Sequence, residues 1–418
     1  MTGTVHVVGA GLAGLAAAVD LVRTGRRVAL YEAGPQAGGR CRSYHDPELG
    51  CRIDNGNHLL LSGNRATLAY LDAIGAADRL TGPDQPRFPF LDLALGERWT
   101  LALSPGRWPG WIFDAASRLP GTGAWDYLRA LGLAWAGADA TVAECLAGHG
   151  EVYRRLWQPF AVAALNTETE TASARLLWAV MRETFERGGL ACRPLVPRVD
   201  LSESLIEPAL IFLARNRCLV KMSARLRRID ATRDWVTGLD MGGSTQAIGE
   251  DDAVVLAVPA PVAASLVEGL IVPTQFRAIV NAHYRMAVPR ERAGEAGILG
   301  LVGGVAEWIF VKREVVSVTV SAADRVVDRP AEELAPAIWR EVARALDLDA
   351  KAMPPARIVK ERRATFAATP EQLARRPGPA TRWRNLVLAG DWTATGLPGT
   401  IEGAVRSGQT AARALAAA

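Results

Sequence analysis

A stretch of some thirty residues near the N-terminus restricts the fold of this chain more than anything else in it. Val5-His6-Val7-Val8 is a short apolar run that ends in Gly9-Ala10-Gly11-Leu12-Ala13-Gly14. Leu15 to Val22 supplies helix formers with apolar residues on one face. After Gly25, Arg27-Val28-Ala29-Leu30-Tyr31 is a second strand-like run, closed by Glu32. Strand, glycine turn, helix, strand and acid in this order predict a βαβ unit that binds a dinucleotide. Gly9 permits the tight turn, Gly11 lets the backbone approach a pyrophosphate, and Gly14 lets helix and strand pack closely. The helix N-terminus offers unpaired N–H groups and the positive end of its dipole to that anion. Glu32, eighteen residues after Gly14, is placed to accept hydrogen bonds from a ribose diol.

Ala37-Gly38-Gly39-Arg40 follows closely and resembles the extended signature of FAD-dependent oxidases and desaturases. In those proteins the glycines and the arginine continue the pyrophosphate cradle, a use that suits a guanidinium facing phosphate. The alternative, a Gly-Gly turn with a surface arginine, is common elsewhere. Here the neighbouring fingerprint favours bound FAD over soluble NAD.

The 418 residues are enough for two cores, and 49% hydrophobic with 22% charged content describes a folded chain. A net charge of +4 does not point to nucleic acid. Five cysteines without metal-type spacing read as reduced thiols, and the five histidines form no ligand pair, so no metal is expected. The first strand begins at once, without room for a signal peptide, and no apolar run reaches spanning length. These features predict a cytoplasmic protein, soluble or peripheral on the inner membrane.

Along the chain, Asp54-Asn55-Gly56-Asn57-His58 is a small polar turn whose Gly56 allows a flat ring to approach, and a helix follows from Arg65 to Ile74. Trp99, Trp108, Trp111, Trp125 and Trp135 then crowd together among Pro, Gly and Arg. Tryptophan beside arginine suits a membrane interface, and a tryptophan-packed core is the competing reading. Helices are predicted over 152–165, 172–186 and 202–215, and strands over 218–221, 224–229 and 252–258. A β-rich block spans 273–323, before a helix over 330–346 and a strand over 357–366. Asn385 to Ala389 is a strand stopped by Gly390-Asp391-Trp392-Thr393, and the last helix opens at Thr400-Ile401-Glu402-Gly403. The fold class is α/β: a Rossmann-like FAD-binding domain with a discontinuous substrate domain of mixed sheet and helices. Residues 1–75, 195–265 and 380–418 are assigned to the first, and 76–194 and 266–379 to the second.

Taken together, these motifs resemble the FAD-dependent amine oxidase and phytoene desaturase superfamily. More narrowly, Leu156-Trp157-Gln158-Pro159, Ala164-Leu165-Asn166-Thr167, Glu207-Pro208-Ala209, Arg363-Ala364-Thr365-Phe366 and Thr395-Gly396-Leu397-Pro398 are similar to the hydroxysqualene dehydroxylases of hopanoid biosynthesis. Val199-Asp200, where that family usually carries a glycine pair, and Asn216-Arg217 depart from its pattern. The resemblance implies that Gly9, Gly11, Gly14, Glu32, Gly39 and Arg40 hold the adenosine diphosphate part of FAD, with the Leu226 backbone at adenine. It places Gly56, Gly390, Asp391 and Ile401 around the ribityl chain and flavin. No cysteine lies near the C-terminal motif, so the FAD is expected to be noncovalent.

The implied reaction is removal of the hydroxyl of hydroxysqualene, an apolar triterpenoid, to give squalene. A side-chain acid would release water, and reduced flavin would supply hydride. His58 and Glu402 are the candidate acids, with Asp54 a third that reads more simply as a turn residue. A carotenoid desaturase, an amine oxidase and a non-catalytic FAD-binding protein are the other readings, and composition does not separate dehydroxylase from desaturase. It is equally silent on the reductant and the oligomeric state.

Overall fold

In the computed structural model, which describes residues 3–417, the N-terminal run forms strand β1 (Thr4–Val8), helix α1 (Leu12–Arg23) and strand β2 (Arg27–Tyr31). Five parallel strands follow the spatial order Leu219–Lys221, β2, β1, Ala253–Leu256, Leu386–Leu388. Every residue of the strand Ala253–Leu256 is buried, as its unbroken apolar run requires of a central parallel strand. The C-terminal helix Ile401–Ala417 lies against α1 at small residues: a Cβ on Gly408 would sit 2.1 Å from the Ala13 carbonyl oxygen. The strand predicted over 224–229 begins only at Arg228. Ser223 takes a positive φ of 55°, and the Ala224 N–H donates to the Glu32 carbonyl, which holds this segment beside the end of β2.

A second sheet has seven strands, in the order Ala356–Phe366, Phe276–Arg285, Val315–Val320, Trp308–Val311, Ile298–Val302, Arg87–Asp92, Arg98–Ala102. It is mixed, because Ile298–Val302 pairs parallel with Arg87–Asp92 while the other neighbours are antiparallel. Period-two alternation gives its centre two different faces. Val280, Ala282, Tyr284, Val316, Val318 and Ile309 pack against Leu334, Ile338, Trp339 and Val342 of the helix Ala331–Leu346. The Tyr284 hydroxyl donates to the Ala335 carbonyl at 2.7 Å, so burying this ring leaves no orphaned polar atom. The opposite face carries Asn281, His283, Ser317 and Thr319, all buried. Buried polar residues on one face of a sheet need partners, and that face meets the loop around Gly56.

The tryptophan-rich region divides between core and surface. Trp99 is buried on its strand, stacked on Phe90 at 5.4 Å with the Arg155 guanidinium over it, and Trp111 is buried against Tyr127. Trp108, Trp125 and Trp135 are 73%, 78% and 81% exposed. The first two belong to the core, and the last three lie on the surface. No helix among the described residues is long and apolar enough to cross a membrane.

Candidate functional site

Strand ends and helix starts of the parallel sheet bring the N- and C-terminal motifs to one edge. Gly9 has φ +106°, and its N–H donates to the Tyr31 carbonyl at 2.7 Å. A Cβ there would stand 2.3 Å from the Ala257 carbonyl oxygen, and one on Gly14 would stand 1.8 Å from the Gly9 carbonyl oxygen. Gly11 differs from both: a Cβ would meet nothing within 4 Å. Two glycines are needed for packing, and the third opens onto free volume at the N-terminus of α1, which has no side-chain cap and no acid in its first turn. That combination suits an anion that approaches the backbone. The Gly38-Gly39 turn closes over it, with the Gly38 N–H donating to the Ala10 carbonyl at 2.8 Å and Gly39 beside Gly11.

Glu32 holds the same loop. Its carboxylate accepts from the Ala10 N–H and the Gly34 N–H, both at 2.8 Å, and keeps further lone pairs for a diol. Leu226 buries its side chain with Ala29 and Tyr31, next to the segment that bonds Glu32. These positions gather beside the ends of β1 and β2 and the start of α1.

Arg40 joins that cluster to the C-terminal motif. Its Nη2 lies 2.6 Å from Asp391 Oδ1, and its side chain is 44% exposed while Asp391 is buried. The guanidinium expected to face phosphate is therefore bound on one edge by a carboxylate 351 positions away. Gly390, at φ +151°, makes the turn, because a Cβ there would strike the Trp392 indole at 2.3 Å. Ile401 is buried as the first residue of the C-terminal helix. The sequence offered no sign of Arg376, which secures this turn. Its guanidinium donates to the carbonyls of Asp391 and Leu397 and to Thr395 Oγ1 at 2.7–2.9 Å, and also to Thr393 O. Burial pushes its pKa down to about 10, so the cation persists at neutral pH.

Gly56 abuts the polar face of the second sheet, where a Cβ would be 3.1 Å from Asn281 Nδ2. Asn57 Nδ2 donates to Thr319 Oγ1 at 3.1 Å, and Thr319 donates to Asn281 Oδ1 at 3.0 Å. Asp54 accepts from Ser43 Oγ, the Leu201 N–H and Lys312 Nζ, the last at 2.6 Å. Burial would raise its carboxyl, but Lys312 and these hydrogen bonds hold it below the usual carboxylate range. Asn281, Thr319 and Lys312 carry no motif, and only pairing across the sheet brings them to the site.

The two acid candidates fare differently. Glu402 accepts from the Ala66 and Thr67 N–H groups and Thr67 Oγ1 at 2.8–3.0 Å. It thus caps the helix α2 (Arg65–Ala73) from the C-terminal helix, with both carboxylate oxygens engaged. His58 stays by the site with Nε2 3.7 Å from Cys41 Sγ. Desolvation, aided by the positive charges of Arg40 and Lys312, pushes its pKa down to about 4, so it is a neutral imidazole at pH 7. Burial pushes the Cys41 thiol up to about 12, so that sulfur is no thiolate either.

Comparison with known proteins agrees with this geometry. The flavin containing amine oxidoreductase family matches residues 12–288 and 304–416. The chain is 50% identical over 412 residues to a hydroxysqualene dehydroxylase of Sinorhizobium fredii, covering 99% of this chain and 98% of that one. It is also 50% identical to a hydroxysqualene dehydroxylase of Rhodopseudomonas palustris, covering 100% and 99%. Among solved structures, cyclohexylamine oxidase from Brevibacterium oxydans shares the fold with a TM-score of 0.71 at 19% identity, covering 100% of this chain and 99% of that one. With the glycine cradle, the Arg40–Asp391 link and full-length likeness in agreement, the chain belongs to the flavin containing amine oxidoreductases and, within them, to the hydroxysqualene dehydroxylase family.

Proposed function

We propose that this enzyme removes the hydroxyl of hydroxysqualene reductively to give squalene, with FAD bound noncovalently along the groove from Glu32 to Ile401. The observation that carries the reading is full-length likeness to proteins bearing that name, on a chain whose Gly11 leaves room for a pyrophosphate. Segments 1–75, 195–265 and 380–418 form the FAD-binding domain in this reading, and 76–194 with 266–379 the substrate domain. Gly9, Gly11, Gly14, Glu32, Gly39, Arg40 and the Leu226 backbone hold the adenosine diphosphate end. Gly56, Gly390, Asp391 and Ile401 border the flavin.

Held by these residues in its reduced form, FAD would supply the hydride equivalent that the reaction needs. The protein supplies the proton that turns hydroxide into water, together with a dry apolar surface. Leu59, Trp308 and Phe310 pack together as an apolar patch suited to a hydrocarbon chain. With Asp54 held ionised by Lys312, His58 neutral and both Glu402 oxygens engaged by α2, Glu307 is the proton source in this reading. It precedes Trp308, and its N–H donates to the carbonyl of Thr319, the residue bonded to Asn57. Burial raises its carboxyl to about 7, against the opposing Ser321 N–H and Arg325. A triterpenoid dissolves in the bilayer, so the exposed Trp108, Trp125 and Trp135 serve as a peripheral membrane contact.

The test mixes photoreduced, FAD-loaded enzyme anaerobically with hydroxysqualene and follows squalene and flavin absorbance. Squalene formed with reoxidation of the flavin is expected. Reduced flavin that persists without squalene, while oxidised enzyme desaturates phytoene, would return the chain to the desaturase reading. Glu307→Gln should keep its FAD and lose about 100-fold in turnover. Unchanged turnover would remove Glu307 from the mechanism.

A further inference from the structure

A cavity of about 320 Å³ outside the FAD groove lies between the helix Ala174–Glu183, the turn Phe185–Arg187, Arg107 and the Gly396-Leu397 loop. Four guanidinium groups line it: Arg107, Arg182, Arg187 and Arg406. Their carboxylate partners are fewer. Glu183 is shared between Arg187 at 2.8 Å and Arg406 at 3.4 Å, Arg406 also meets Glu402 at 3.3 Å, and Glu186 meets Arg182 at 3.5 Å. Arg107 has no ion-pair partner among the described residues, and Arg187 Nη1 is buried without a hydrogen-bond acceptor. Unmatched positive charge around a concave space favours an anion, and planar guanidinium groups match phosphate in shape and donor geometry.

The rim indicates which anion. Arg107 precedes Trp108, whose exposed ring stacks on the exposed Phe113 at 6.2 Å. The Gly189 N–H donates to the Ser104 carbonyl and the Leu190 N–H to the Pro105 carbonyl, which sets the exposed Leu190 beside the same loop. Apolar side chains that reach outward around an arginine-lined hollow match a bilayer surface, with acyl chains outside and headgroup phosphates at the charge. We infer that the cleft lined by Arg107, Arg182, Arg187 and Arg406 binds the phosphate of an anionic phospholipid headgroup while Trp108, Phe113 and Leu190 enter the lipid. This rests on the peripheral membrane contact proposed above and adds to it a specific headgroup site.

Flotation of the FAD-loaded enzyme with vesicles of phosphatidylcholine alone, or with added phosphatidylglycerol, tests the cleft. The bound fraction should rise severalfold with phosphatidylglycerol and fall as salt screens the charge. Arg107→Glu should lower binding to phosphatidylglycerol vesicles about tenfold and leave the weaker phosphatidylcholine binding unchanged. Trp108→Ala should weaken both. Should Arg107→Glu lose its FAD, Arg182→Ala carries the same comparison, with a smaller loss expected. Equal binding to both vesicle types, with the arginine variants unaffected, would overturn the headgroup site while the membrane contact stands. A wild type that floats with neither would overturn both.

Discussion

At Gly11 the absence of one side chain leaves open volume, whereas at Gly14 it avoids a collision with Gly9 O. Gly11→Val should therefore yield a folded protein with at least about tenfold less FAD, read from flavin absorbance per chain. Gly14→Ala should lower the unfolding temperature instead, because backbone lies 1.8 Å from the new atom. Retention of full FAD by Gly11→Val would remove that glycine from the pyrophosphate site. A second expectation concerns pH. His58 and His283 are pushed down to about 4 and about 3 by burial, while an unfolded histidine titrates near 6.5. Above 6.5 both states are neutral. Below it the unfolded chain takes up protons that the folded one refuses, so stability falls as pH drops from 6.5 toward 3. His283→Gln should flatten that decline in denaturant titrations across the window, and an unchanged slope would deny the buried imidazole its part.

Helices at this site are fixed by their ends and by one face. Glu402 on the C-terminal helix caps α2 from outside, so Glu402→Gln should cost about 1–3 kcal/mol through weakened bonds to the Ala66 and Thr67 N–H groups. Turnover per bound FAD should stay near wild type, and a collapse with FAD in place would put Glu402 in the chemistry. The helix Ala331–Leu346 shows the other principle. Its apolar stripe buries Trp339 against Tyr284, with ring centroids 5.2 Å apart. Trp339→Ala should destabilise the protein by about 3–5 kcal/mol, measured by urea unfolding, because that core relaxes only partly around the cavity. A loss below 1 kcal/mol would mean that the sheet and helix close up freely.

For the whole molecule, the central point is that the N- and C-terminal motifs meet at one edge of a five-stranded parallel sheet while a second sheet closes over them. Arg40 and Asp391 form the covalently unlinked join, 351 positions apart. Asp391→Asn should weaken FAD retention without a matching fall in secondary structure, since it removes the charge paired with Arg40 and leaves the Arg376 bonds to nearby carbonyls in place. Circular dichroism and flavin release on gel filtration distinguish the two effects. The surface aromatics belong to this scale as well, because only the folded molecule separates Trp99 and Trp111, which are buried, from Trp108, Trp125 and Trp135, which are exposed.

Local chemistry was sufficient to read β1, α1 and β2 from the sequence, since a glycine fingerprint, an apolar period and a closing acid are all short-range signals. The second-sheet strands within 273–323 and 357–366 and the helix Ala331–Leu346 were legible from β-rich runs and from proline at the helix entry, whereas Arg87–Asp92 and Arg98–Ala102 were hidden in the tryptophan-rich region. The start of the strand at Arg228 was not, because a backbone bond to Glu32 from a distant segment overrides the local β preference. The same physics governs the candidate acids. What Glu402 bonds depends on the Ala66 and Thr67 N–H groups, and whether His58 carries a proton depends on burial beside Arg40 and Lys312. Side-chain surroundings are three-dimensional, so sequence could nominate those residues and only the tertiary structure could show what each one touches.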